Sequence, residues 1–373
     1  MRVLYFTAED SPHDQRFLTA LAGTSHQVTC LRMYARPKAQ TPEGIESWNW
    51  PNDQPDWTCW QGWQRGKDQF MQIIADLQPD LVHAGPVQGP ALVAALAEFH
   101  PLVAMSWGFD LLRIAERSPW MQCATNFTLK RSDVLVADCQ TVVDRAASYG
   151  FPRENVVRFP WGVDLAHFSP ERANAAGITL RQSLGWKDNF VIFCNRAWSS
   201  SYGVDILAKA FVRVYQKLPN IRLLLAGGGP DSDLIHSILA PVKGAVYFPG
   251  WVNIEDLPGY YGAGDLFVSP SHFDGSSVSL MEALACGRPV LVSDIASNRE
   301  WVTPGEVGEL FTDGDVASLE HQLTAMASDP RLVEYGQRGR ALAEERANWD
   351  INFQKLLIAY QMAQAPKESP TAK

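Results

Sequence analysis

Residues 274–282 read Asp-Gly-Ser-Ser-Val-Ser-Leu-Met-Glu, and residues 283–290 continue Ala-Leu-Ala-Cys-Gly-Arg-Pro-Val. Two carboxylates, Asp274 and Glu282, stand eight residues apart, with small residues after the first. The pattern predicts a loop that turns into a helix near Ser277 or Val278. Gly287 and Pro289 stop that helix, and Val290-Leu291-Val292 opens the next strand. A loop-to-helix junction offers unbonded backbone N–H groups and a positive dipole end to an anion. Carboxylates on either side can grip hydroxyl groups. Phosphate flanked by polyols describes a sugar nucleotide.

Outward from this segment, short apolar runs alternate with longer amphipathic stretches, the rhythm of βαβ units and parallel sheets. The expected strands of the first half are Val3–Phe6, Gln27–Leu31, Asp80–His83, Val103–Trp107, Val134–Ala137 and Val156–Phe159. Those of the second half are Phe190–Cys194, Arg222–Ala226, Val246–Phe248, Leu266–Ser269 and Pro289–Ser293. Val204–Lys217 reads as a helix with Leu207, Ala210, Phe211 and Val214 on one face. Residues 165–188, with Pro170 and a polar stretch, read as a hinge. Trp349–Ala363 reads as a last helix and residues 365–373 as a disordered tail. A chain of 373 residues predicts two cores.

The composition, 46% hydrophobic and 20% charged, suits a soluble enzyme, and a net charge of −9 argues against nucleic acid and against electrostatic docking on anionic lipid. Met1 leads straight into a strand, so no signal peptide is expected, and no apolar run reaches the roughly 18 residues of a membrane span. The six cysteines are scattered without a Cys-x-x-Cys pair, which predicts reduced thiols, no zinc site and a cytoplasmic setting. Cys286 reads as packing at a helix end.

The 274–282 segment resembles the acid-x7-acid donor motif of retaining glycosyltransferases of the large GT-B family 4, where the first acid is usually Glu. The resemblance extends to Ile221–Pro230 (IRLLLAGGGP), Phe248–Val252 (FPGWV), Tyr261–Pro270 (YGAGDLFVSP) and Trp161-Gly-Val-Asp164 with Phe168 and Pro170. It spans roughly residues 1–350, closely in the second half and loosely in the first. It implies an α/β fold of two Rossmann-like domains with parallel sheets facing across a deep cleft. Residues 1–165 would bind the acceptor and residues 166–348 the nucleotide sugar. A helix over 349–364 would cross back to the first domain, and 365–373 would form the tail.

The resemblance also implies roles. Glu282 would accept hydrogen bonds from a ribose diol, a solvated helix Glu being the plain alternative. Asp274 would approach the transferred sugar; an Asx-turn or helix cap is the other reading. Gly275, Ser276, Ser277 and Val278 would offer backbone N–H groups to the diphosphate or sugar, with Ser276 or Ser277 also able to cap the helix. Arg196 would neutralise the leaving diphosphate, or be a surface arginine. The family's Lys a few residues later is replaced by Tyr202, before Gly203. Arg299 is a candidate replacement charge, or an acceptor contact. Gly228 and Gly229 let the backbone approach a ligand. As a dinucleotide fingerprint the turn fails, because Ser232 stands where the third Gly belongs. Asp231-Ser-Asp233 reads as a helix start, and no metal is expected. Trp251 and Val252 would hold the base, with core as the other reading of Trp251.

On the acceptor side stand His13, Asp14 and Arg16 after the first strand, His83 at a strand end, and Trp107-Gly-Phe-Asp110 where relatives carry His-Gly-x-Asp. Asp110 would orient the acceptor hydroxyl or cap the helix starting at Leu111. The absence of His at 107 leaves no side-chain base there. Five tryptophans, at 48, 50, 57, 60 and 63, are expected in an acceptor-side loop or a hydrophobic flap on the first domain. The implied reaction transfers a hexose, with UDP as the default carrier, to a glycan, lipid-linked or small-molecule hydroxyl, without protein nucleophile or cofactor. A peripheral contact at the inner membrane face fits lipid-linked acceptors. The rival readings are a non-catalytic nucleotide-sugar-binding protein and a sugar-nucleotide epimerase.

Overall fold

The computed structural model describes residues 1–9, 11–34, 41–48, 50–51 and 53–365. It divides into two compact units. One comprises Met1–Phe159 with the chain from Phe353 onward, and the other comprises Pro160–Asn352. The expected tail, 365–373, lies outside the described residues apart from Ala365.

The first unit holds strands β1 (Arg2–Thr7), β2 (Gln27–Arg32), β3 (Glu46–Trp48), β4 (Leu81–Gly85), β5 (Leu102–Met105), β6 (Val134–Ala137) and β7 (Val156–Arg158). Their order across the sheet is β3-β2-β1-β4-β5-β6-β7, with every pairing parallel. The second unit holds β8 (Phe190–Cys194), β9 (Ile221–Ala226), β10 (Val246–Gly250), β11 (Leu266–Ser269), β12 (Val290–Ser293) and β13 (Gly308–Phe311). Their order is β10-β9-β8-β11-β12-β13, again parallel throughout. Parallel sheets are covered by helices on both faces, so their strands are apolar on both sides. In β8, Ile192 and Cys194 enter one core while Val191 and Phe193 enter the other, as the alternation of a strand requires.

The sheet orders place a reversal in each unit. In the first, successive strands leave β1 in one direction and β4 in the other. In the second, the reversal lies between β8 and β11. Loops that diverge from such a point leave a crevice beyond the strand ends, where open α/β sheets bind ligands.

Three sequence expectations need correction. The region read as a hinge contains a 15-residue helix, Pro170–Leu184, whose Ser169 accepts from the Arg172 N–H and whose Pro170 sits at its first position. The tryptophan-rich stretch is not a loop throughout: Trp48 ends β3, and Trp60 and Trp63 lie on the helix Trp60–Leu77. Trp50, Trp57 and Trp63 form an edge-to-face chain, with Trp50 stacked on Phe6 and its indole N–H bonded to Gln69. The flap alternative therefore describes the region. His83 is a core histidine. Its Nδ1 lies 2.7 Å from the Tyr360 hydroxyl and its Nε2 3.2 Å from the Met105 sulfur, and burial drives its pKa down to about 3.

The last point has a pH consequence. The unfolded chain takes up a proton at His83 near pH 6.5 while the folded chain refuses it until about pH 3, so the loss of stability runs with falling pH. At pH 5 this residue accounts for about 2 kcal/mol of that loss. Replacing His83 with Leu should flatten the acid limb of a denaturation series between pH 6.5 and 4; an unchanged limb would show that other groups carry it.

Candidate active site

The loops that follow β8 and β11 are joined at the reversal of the second sheet. The His272 N–H donates to the Ser201 carbonyl at 3.1 Å. Gly203, at φ +57°, lies so close to the second loop that a Cβ would sit 2.2 Å from the Pro270 carbonyl oxygen. Glycine is needed there for its left-handed backbone and for the approach.

This junction brings Arg196 and Asp274 together. The Arg196 Nη2 donates to Asp274 Oδ2 at 2.7 Å, and Nη1 donates to Ser279 Oγ at 2.8 Å and Ser277 Oγ at 3.2 Å. The guanidinium carbon lies 4.3 Å from the centre of the Tyr202 ring, in cation–π contact. Arg196 Nε is buried and has no hydrogen-bond partner among the described residues. Burial pulls the guanidinium pKa down, but the Asp274 carboxylate above all outweighs it and holds the group above its ordinary value. Arg196 is thus a half-buried, fixed cation and not a loose surface arginine. Asp274 is its counter-ion and not a helix cap.

The helix Val278–Ala285 starts immediately after this cluster, with Ser277 at its N-cap position and no side-chain cap. Gly275, Ser276 and Ser277 are buried, and Val278 is partly exposed. Glu282, one turn inside, is buried rather than solvated. The Tyr261 hydroxyl lies 2.7 Å from Glu282 Oε2 and 3.0 Å from the Ser279 carbonyl, and accepts from Asn195 Nδ2 at 3.0 Å. Burial first, and the Glu282 carboxylate second, push the Tyr261 phenol well above its ordinary value, so it stays a neutral donor. Asn195, Tyr261 and Ser279 were given no role from the sequence. Tyr261 and Ser279 lie within the quoted motifs and Asn195 stands beside Arg196, but only their contacts single them out.

The remaining donor-side residues divide. Gly229 approaches so near to Trp198 that a Cβ would lie 2.4 Å from the Trp198 carbonyl, and Gly228 accepts from the Trp198 N–H at 2.9 Å, so the glycine turn is fitted to the Trp198 backbone. Asp231 occupies the N-cap position of the helix Ser232–Leu239 without a side-chain cap, while Ser232 Oγ accepts from the Gly229 N–H. Trp251 is 73% exposed, which removes the core alternative, and Val252 is partly buried. Arg299 faces Asp294 in a two-point pair of 2.5 and 2.8 Å at the surface, so its charge is already matched.

In the first unit His13 stacks on Trp107, with ring centres 5.8 Å apart, next to the half-buried Arg16. Three other candidates are interior groups. Asp14 forms the capping box of the helix Pro12–Ala22 with Ser11 and accepts from the Tyr5 hydroxyl at 2.9 Å. Asp110, fully buried, accepts from the Val87 and Leu111 N–H groups and from Ser106 Oγ; burial raises its pKa against these bonds. With His83, these residues organise the unit and have no surface to offer a ligand. Among the described residues no three His, Cys, Asp or Glu side chains gather as a metal site, and no helix is long and apolar enough to cross a membrane.

A family described as "Glycosyl transferases group 1" matches residues 188–329, and one described as "Glycosyl transferase 4-like" matches residues 2–139. The chain belongs to the group 1 glycosyltransferases of the GT-B fold. A GDP-mannose-dependent monoacylated alpha-(1-6)-phosphatidylinositol monomannoside mannosyltransferase of Corynebacterium glutamicum is 30% identical over 60% of this chain and 61% of its own. Mannosylfructose-phosphate synthase of Agrobacterium fabrum is 31% identical over 43% of this chain and 35% of its own. The chain thus spans less than two thirds of the curated relatives it matches first. Among solved structures, Anabaena HepE in complex with UDP superposes with a TM-score of 0.79 at 20% identity, covering 97% of this chain and 100% of that one. Sucrose-phosphate synthase of Thermosynechococcus elongatus gives 0.82 at 18%, covering 97% and 98%. These likenesses show the fold.

Gly203→Ala should cost about 2–3 kcal/mol, because the added methyl meets a backbone carbonyl at an unfavourable φ. Urea denaturation of the variant measures it; a loss below about 0.5 kcal/mol would mean that the two loops are not tightly joined.

Proposed function

We propose that this protein transfers a hexose from a nucleoside-diphosphate sugar to a hydroxyl group, with retention and without a metal ion. The observation that carries the reading is the Arg196–Asp274 pair at the sheet reversal, beside the N-terminus of the helix bearing Glu282. An anion placed there meets a fixed cation, the helix N–H groups and hydroxyls. Two carboxylates stand within reach of its polyol flanks.

In this reading Arg196, helped by the helix N-terminus, stabilises the leaving diphosphate, which takes the acceptor's proton on the face where the new bond forms. Asp274 orients the transferred sugar and Glu282 the ribose. Gly275, Ser276, Ser277 and Val278 line the diphosphate, with Trp251 and Val252 near the base. His13, Arg16 and Trp107 remain as acceptor contacts, while Asp14, His83 and Asp110 are left out because they are interior. Arg299 is left out as a phosphate ligand because Asp294 matches its charge.

The donor base has two supports. Family frequency favours UDP, whereas the relatives from Corynebacterium and Mycolicibacterium carry GDP-mannose in their names, as well as an inositol lipid acceptor. GDP-mannose and a lipid-linked hydroxyl are therefore the first pair to test. A melting-temperature screen of GDP-, UDP-, ADP- and dTDP-sugars names the base, because a ligand bound to the folded state alone raises Tm.

In EDTA, wild type should release nucleoside diphosphate in the presence of acceptor. Glu282→Ala should lower kcat/KM by about a hundredfold or more, and Arg196→Ala should lower chiefly kcat, by about 10²–10³-fold. Wild-type turnover in either variant refutes its role, and rescue by Mn²⁺ refutes the metal-free route. Binding without diphosphate release would instead select the non-catalytic reading. An isomerised sugar nucleotide formed without acceptor would select the epimerase.

Tyr202 can be separated from these groups. Tyr202→Phe keeps the ring under Arg196 and should stay within about twofold of wild type, whereas Tyr202→Leu should lose about five- to tenfold in kcat. Equal losses in both would mean that the hydroxyl, not the ring, matters.

A further inference from the structure

A cavity of about 650 Å³ opens in the second unit at the amino ends of β8, β11 and β12, the opposite end of the sheet from Arg196 and Asp274. Its wall includes Asn174, Asp265, Arg288, Val333, Gln337 and Arg340. A volume of this size suits a small organic molecule.

The charges around it are unevenly paired. Arg181 is hydrogen-bonded to Asp265. Arg340 faces Glu344, 2.7 Å from its Nε, and its charge is also felt by Glu171. Arg288 has no carboxylate bonded to it among the described residues. Its Nε donates to the Cys286 carbonyl at 3.2 Å, its Nη1 to the Gly264 carbonyl at 3.3 Å, and its Nη2 to the Asn174 side-chain oxygen. Asp265 also attracts Arg288, but Arg181 both claims that carboxylate and repels Arg288; burial, the largest influence, weakens the guanidinium's hold on its proton. A cation partly withdrawn from water without a bonded counter-ion is disfavoured, and an anion would relieve it. Arg340 adds capacity, since its Nη2 has no hydrogen-bond partner among the described residues while Nη1 serves the carbonyls of Leu165, Phe168 and Ala285. Leu332 and Val333 give the same wall an apolar side, and Val333 is 73% exposed.

We propose that this cavity is a second ligand site, taking an organic anion in which a phosphate or carboxylate head meets Arg288 and an apolar body lies along Leu332 and Val333. The site is separate from the candidate donor site and does not depend on the transferase reading.

The test is calorimetric titration of the full chain with hexyl phosphate, hexyl carboxylate (heptanoate), hexanol and inorganic phosphate. Either amphiphilic anion should bind at least tenfold more tightly than hexanol and inorganic phosphate, and the comparison of the two names the head group. Gln337→Glu, a surface change that sets a negative charge in the wall, should weaken that binding at least tenfold without lowering Tm. Arg288→Met should abolish it, and Arg196→Ala should leave it unchanged. The proposal falls if neither anion is preferred to hexanol, if Gln337→Glu binds as wild type does, or if Arg196→Ala removes the binding, which would place it at the donor site.

Discussion

The second unit is organised around one ion pair. Arg196 leaves β8, Asp274 leaves the loop after β11, and these strands are neighbours at the point where the sheet's winding reverses. Each side chain has a partner because the loops are held at contact distance by Gly203 and by the His272–Ser201 backbone bond. Tyr202 closes the cluster from below with its ring. At the position where the family resemblance implies a second cation, Tyr202 gives an aromatic face to Arg196.

Much of this was legible in the sequence. The central strands Val134–Ala137, Phe190–Cys194 and Leu266–Ser269, and the helix Val204–Lys217, have the bounds that apolar runs and period-3.6 patterning give. Those segments are buried on both faces or have one clean apolar face, so the pattern and the packing agree. The missed strands, Glu46–Trp48 and Gly308–Phe311, are short edge strands with mixed polarity, held by a neighbour rather than by their own composition. Pro170 misled because it was read as a breaker, whereas after a capping serine it is a helix's first residue.

The loop-to-helix junction was legible for a similar reason. Its residues are adjacent in sequence, so the pattern placed Glu282 one turn inside the helix, while the donor roles rested on the family resemblance. The acceptor-side reading was weaker because a polar residue at a strand end points either into the crevice or into the core. His83 and Asp110 took the second course, each meeting a buried partner distant in sequence, Tyr360 for His83 and Val87 for Asp110, while Asp14 turned to its neighbours Ser11 and Tyr5. No pattern within one strand carries that information.

The occupied state of Arg196 bears on how an anion would bind. A diphosphate arriving at the junction meets a guanidinium that already serves a carboxylate and two hydroxyls, with Nε as its unmatched donor. It would exchange contacts rather than add them. Each Asp274 or serine bond given up subtracts from the affinity for a resting donor. Charge that accumulates on the diphosphate as the sugar departs competes better for the same guanidinium. A cation held by a displaceable counter-ion therefore discriminates in favour of the more charged state, which is the difference in binding that accelerates a reaction. Asp274 reaches Arg196 at 2.7 Å, so it is the contact that such an exchange would have to break.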